Sequence, residues 1–127
     1  MKIRITEVRP TADAPLVSFQ SLAGSGTALW VGITPKMGDE LDVEFELDEV
    51  FSWGKNITAS SSQSPQLTDV NGVTQITAEL IQVEDENFAA LQFGNSILLI
   101  ELDGPITQIS GYVNLITNRV LLYPTNT

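Results

Sequence analysis

Apolar and polar residues alternate with a period of two in segment after segment of this chain. No window of eleven residues or more repeats apolar side chains at i, i+3, i+4 and i+7. Successive side chains of a strand point to opposite faces, so this period is that of half-buried strands, whereas a helix needs 3.6. The chain is therefore expected to be all-β. Residues 2–9 (KIRITEVR) and 16–22 (LVSFQSL) read as strands. A turn at AGSG, 23–26, leads into a third strand, TALWVGI, 27–33. Residues 40–48 are a fourth. VTQITAELIQV, 73–83, and FAALQF, 88–93, read as a hairpin around the turn at 84–87. SILLIEL, 96–102, is apolar at both parities, the pattern of a central strand covered on both faces. GYVNLI and RVLLY, on either side of Thr117 and Asn118, fit one bent strand or a terminal hairpin.

About eight short strands at this spacing predict a small Greek-key barrel of the OB-like kind or a β-sandwich of antiparallel strands. Gly32, Gly54 and Gly111 are candidates for barrel corners. In an OB-like barrel the usual helix between the third and fourth strands would have to be lost here, or replaced by the serine loop. At 127 residues the chain is expected to form a single domain, 1–127. Its serine-rich stretch, at about 59–72, is expected to be a flexible loop.

Composition narrows the chemistry. The chain has no histidine and no cysteine. Ser-His-Asp and Cys-His nucleophiles, the usual zinc sites and a two-histidine iron site are thereby excluded. No metal site or cofactor is expected. A pair of carboxylates could still hydrolyse a glycoside, but acids on strand exteriors normally serve solvation, and no enzyme is expected. AGSGT at 23–27 lacks the lysine and following helix of a phosphate-binding loop and reads as a hairpin turn. Asp69, Asn71 and Gly72 echo the start of a calcium loop without its downstream glutamate. Asn56-Ile57-Thr58 fits a glycosylation acceptor only by pattern.

The chain carries 16 acids against 6 bases, a formal charge of -10. Such a surface repels phosphate backbones and anionic headgroups, so neither nucleic acid nor membrane is an expected partner, and a basic protein is. MKIRITEV has no apolar core of a signal peptide, and no apolar run approaches the roughly 20 residues that span a bilayer. A cytoplasmic location is expected.

Seven of the 16 acids fall within GDELDVEFELDEVFSWG, 38–54. In a strand, Asp42, Glu44, Glu46 and Asp48 share one face about 6 to 7 Å apart, above Leu41, Val43, Phe45 and Leu47 on the other. Such a row costs stability unless cations on a neighbouring strand or a partner offset it. It is expected either to protect an edge strand from sheet-to-sheet association or to bind a basic partner. Phe51, Trp53 and Lys55 follow it directly and are candidate additions to such a surface. The leading expectation is a non-enzymatic acidic interaction domain, with an inhibitor or immunity-type role as one form of it. The alternative is an OB-like module that stacks an oligosaccharide or a single-stranded nucleic acid on an exposed Trp30 or Trp53.

Overall fold

The structure, a computed structural model, describes residues 1–84, 87–108 and 110–125. Among them are twelve strands and no helix. Five strands close a barrel: β1 (Lys2–Arg9), β2 (Leu16–Ser21), β3 (Gly24–Trp30), β4 (Glu40–Leu47) and, far along the chain, β12 (Val120–Pro124). β1 pairs with β2 and β2 with β3, both antiparallel; β3 pairs with β12 in parallel; β12 and β1 then flank β4, both antiparallel. This closed five-stranded barrel, with further strands outside it, is one of the two all-β architectures expected from the strand pattern. Its inward parity is that of Ile3, Ile5, Val17, Phe19, Trp30, Val43 and Leu122, all buried.

The remaining strands form one long insertion between β4 and β12. They are β5 (Val50–Phe51), β6 (Ile57–Ala59), β7 (Gln66–Val70), β8 (Val73–Glu84), β9 (Phe88–Phe93), β10 (Ser96–Leu102) and β11 (Gly111–Thr117). β8 pairs with β7, β9 and β11; β9 carries β10; β6 lies beside β11. Buried residues of the insertion and the barrel belong to a single core cluster. The junction is aromatic. The Phe45 ring stands 5.9 Å from Phe19 inside the barrel and 5.5 Å from Phe93 of the insertion, the second contact edge-to-face at 86°, a favoured aromatic arrangement.

Several expectations are corrected. The strand count is twelve rather than about eight: β5 and β6 are two and three residues long, too short for alternation to register, β7 lies in the expected serine loop, and β11 and β12 are separate strands. The third strand ends at Trp30, leaving Ile33 exposed, and begins at Gly24. The expected turn at 23–26 lies instead at Leu22 and Ala23, since Ser21 pairs with Gly24. β7 pairs with β3 in parallel at Gly24, which must be glycine there: its φ is +141° and a Cβ would meet the Leu67 carbonyl oxygen at 1.9 Å. The connection from β3 to β4 contains no helix, and the serine segment lies elsewhere, between β6 and β7.

Residues 66–70 of the expected serine-rich loop form β7, joined to β8 by Asn71 (φ 55°) and Gly72 (φ 80°). Two successive positive φ values make the two-residue hairpin turn that Asn-Gly favours. That assigns Asp69, Asn71 and Gly72 to a hairpin, with the Asp69 carboxylate accepting from Thr27 Oγ1 at 2.7 Å. β11 and β12 are neither one bent strand nor a hairpin: β11 joins β8, while β12 returns to the barrel. The expected turn at 84–87 lies partly outside the described residues.

A seam between the acidic strand and an exposed apolar strand

The alternation in β4 is realised as expected on the inward side: Val43, Phe45 and Leu47 are buried, while Asp42, Glu44, Glu46 and Asp48 are exposed. β4 pairs with β12 along Val43–Leu47 but with β1 only at Glu40–Asp42, so on the side away from β12 the stretch carrying Glu44 and Glu46 has no ladder partner among the described residues, and its charges lie along an open edge, as edge protection requires.

The neighbours set the electrostatics of the row. Toward its start, Arg4 is opposite Glu40 and Lys2 opposite Asp42 on β1. At its end, Arg119 places Nη2 3.0 Å and Nε 3.1 Å from Asp48 Oδ2. Two further acids hold turns together. Asp39 accepts the Lys36 amide at 2.9 Å, and Glu49 accepts from Asn56, whose side chain also bonds the Ser52 amide and the Val50 carbonyl. Asn56, the residue of the glycosylation pattern, is thus built into the β5–β6 turn.

The middle of the row has no base across from it. On β12, Tyr123 is opposite Glu44 and Leu121 opposite Glu46. Tyr123 donates its hydroxyl hydrogen to Glu46 Oε2 at 2.5 Å. This bond to a carboxylate, reinforced by desolvation and by the charges of Glu46 and Asp48, raises the Tyr123 pKa above its ordinary 10.0.

On the other side of Glu44 and Glu46 lies β10. The β1–β4 ladder stops where the Met1 ammonium donates to the Val43 carbonyl at 2.9 Å and the Val43 amide donates back to Met1. β4 then runs beside β10 without a shared ladder, until β5, its continuation past Asp48 and Glu49, pairs in parallel with Glu101 and Leu102 of β10. The two strands thus make a seam, zipped at β5 and unzipped along β4. A groove of about 470 Å³ follows the unzipped part, lined by Glu44, Phe45, Glu46, Ile97, Leu99 and Tyr123.

β10 is not the covered central strand its composition suggests. β9 pairs along its length on one side, and β5 meets only two residues on the other. Leu98, Ile100 and Leu102 fill the core, while Ile97 and Leu99 face outward with 50% and 74% of their surface exposed. Leu99 is opposite Ala90, and the next outward pair joins Glu101 to the exposed Phe88. The outer face of β9 and β10 is thus apolar and exposed at Phe88, Ile97 and Leu99.

The remaining candidates separate. Phe51 is fully buried and cannot touch a partner. Trp53 is part-buried against the core, and Lys55 is exposed in the β5–β6 turn; neither lines the groove beside Glu44. Trp30 is 2% exposed, with Nε1 donating to the Ile33 carbonyl at 2.7 Å, so it offers no stacking face. Gly54 and Gly111 serve turns or strand starts rather than barrel corners. A cleft of about 830 Å³ opens around Lys2, Arg4 and Leu22, and meets the seam region at Met1 and Asn95.

Ile97, Leu99 and Tyr123 are the site residues that alternation did not identify. The first two had a visible signal, an apolar run at both parities, which reads equally well as burial on both faces. Comparison with protein-family models, with curated proteins and with solved structures finds no match.

Proposed function

We propose that this is a non-enzymatic interaction domain that binds a basic protein partner in the cytoplasm through the outer face of β4. One observation carries the reading: Glu44 and Glu46 stand exposed in the middle of a carboxylate row whose ends are matched by Arg4, Lys2 and Arg119, yet no base is opposite them. Like charges held on one strand without compensation cost stability. A partner's lysines or arginines would offset that cost and gain from the negative field of a chain with net charge -10. Ile97 and Leu99 beside the row supply apolar area that charge pairing alone lacks. Exposed ion pairs contribute only about 0.2 to 1 kcal/mol each, whereas burying a leucine or isoleucine contributes up to about 1.5 to 3 kcal/mol. Inhibition of a basic enzyme is one form such binding would take.

The test is affinity capture from an extract of the source organism at low salt. The captured protein is identified and then rebuilt into a complex from purified components. A basic protein that is held by the native chain and lost by Glu44→Lys/Glu46→Lys, with the circular dichroism spectrum unchanged, supports the reading. A purified complex that survives both charge reversals refutes it.

A further inference from the structure

Resting on that reading, we infer that the partner enters the seam as an extended segment in which basic residues alternate with apolar ones. The geometry of the two walls carries this. One wall is the acid row on β4, the other the outward parity of β10, Ile97 and Leu99. Both walls are strands, and the parallel pairing of β5 with β10 at Val50–Glu101 and Phe51–Leu102 holds them alongside one another. Each wall therefore repeats every second residue, at about 6.5 to 7 Å.

A segment lying along the seam in extended conformation sends alternate side chains to opposite sides with that same repeat. Its cations fall over Glu44 and Glu46, and its intervening apolar side chains over Ile97 and Leu99. A helix cannot match both rows, because its same-face neighbours recur at three and four residues and the next side chain is turned by about 100°. The unzipped ladder adds to the fit. Between the Met1–Val43 pair and β5, the facing edges of β4 and β10 share no hydrogen-bonded ladder, in a region where the Phe45 and Leu47 side chains close the floor.

Charge selects this occupant over others. A second copy would bring its own carboxylate row against Glu44 and Glu46, and a nucleic acid would bring phosphates; both are repelled. Lys2 and Arg4, in the adjoining cleft, are set against Glu40 and Asp42 and do not reverse the sign of the groove.

The experiment titrates the full chain at low salt with two labelled peptides of one composition, followed by fluorescence anisotropy. In one, lysine and valine alternate; in the other, the same residues are ordered at helical spacing. The alternating peptide is expected to bind at least about tenfold more tightly. Ile97→Ser/Leu99→Ser, substitutions at exposed positions that leave the core intact, should remove that preference while retaining weak, salt-sensitive binding of both peptides. Equal affinity for the two peptides overturns the extended geometry and leaves the basic-partner reading standing. Binding of neither overturns both. Loss of self-association in Ile97→Ser/Leu99→Ser by sedimentation, without any peptide preference in the native chain, would instead assign the seam to a second copy and overturn the inference.

Discussion

Tyr123 donates to Glu46 at 2.5 Å, from the strand that closes the barrel to the centre of the acid row. The bond requires a protonated phenol, and it raises the Tyr123 pKa above 10.0. Because the folded-state pKa is the higher one, the bond's stabilisation is complete below the unfolded value and is lost as the pH rises through the folded one. Ultraviolet titration at alkaline pH is expected to resolve a late-titrating tyrosine in the native chain. Glu46→Gln should bring it back toward 10.0, the carboxylate being the largest cause of the shift. An unchanged titration curve in Glu46→Gln would show that the bond is not formed in solution.

Phe45 joins the barrel core to the insertion through its contacts with Phe19 and Phe93. Phe45→Ala should therefore cost about 3 to 5 kcal/mol in denaturant unfolding, the range of large cavities in packed cores. If the two parts share one core, unfolding stays a single transition in the native chain. A loss below about 1 kcal/mol would contradict the packing described.

Gly24 admits no side chain, with a Cβ meeting the Leu67 carbonyl oxygen at 1.9 Å. Gly24→Ala is expected to destabilise by about 3 kcal/mol or more, since the clash is with backbone and the φ of +141° is itself unfavourable for alanine. Gly38→Ala is the control: its φ is also positive, but no atom lies within 4 Å of its Cβ, so it should show only the smaller backbone effect. Thermal melts of the two variants measure the difference.

The Arg119–Asp48 pair, with both side chains more than half exposed, should contribute little to folding. Arg119→Ala is expected to change stability by less than about 1 kcal/mol, and by less still at high salt. Its measurable effect should appear in binding. Freeing Asp48 extends the uncompensated part of the row, so affinity for the alternating lysine peptide should rise slightly, as anisotropy would register.

Alternation made the barrel wall legible, because it reports which parity of a strand meets the core. Val43, Phe45 and Leu47 are buried and their acidic neighbours exposed, as the spacing requires. It says nothing about which strands lie side by side. The parallel closure of β3 on β12 joins residues more than 90 positions apart, and the insertion between β4 and β12 has no sequence mark of its own. For the same reason the bases that face the ends of the row, Arg4, Lys2 and Arg119, belong to neighbours that only the fold supplies. Two local features are equally instructive. Asn71-Gly72 between alternating residues was a hairpin signal in its own right. Gly24 reads as part of a turn until its parallel pairing with Leu67 of β7 accounts for it. β10 is the instructive case, for an apolar run at both parities fits a surface left uncovered as readily as a strand buried on both sides.

Recognition of a cationic partner by the seam between β4 and β10, as proposed, is checked by an amide correlation spectrum recorded during titration with the alternating lysine–valine peptide. Shifts are expected to concentrate at Val43 to Leu47 and at Ile97 to Leu99 and to grow weaker as salt is added. Shifts confined to the cleft around Lys2, Arg4 and Leu22, or to the turn bearing Trp53 and Lys55, would contradict it.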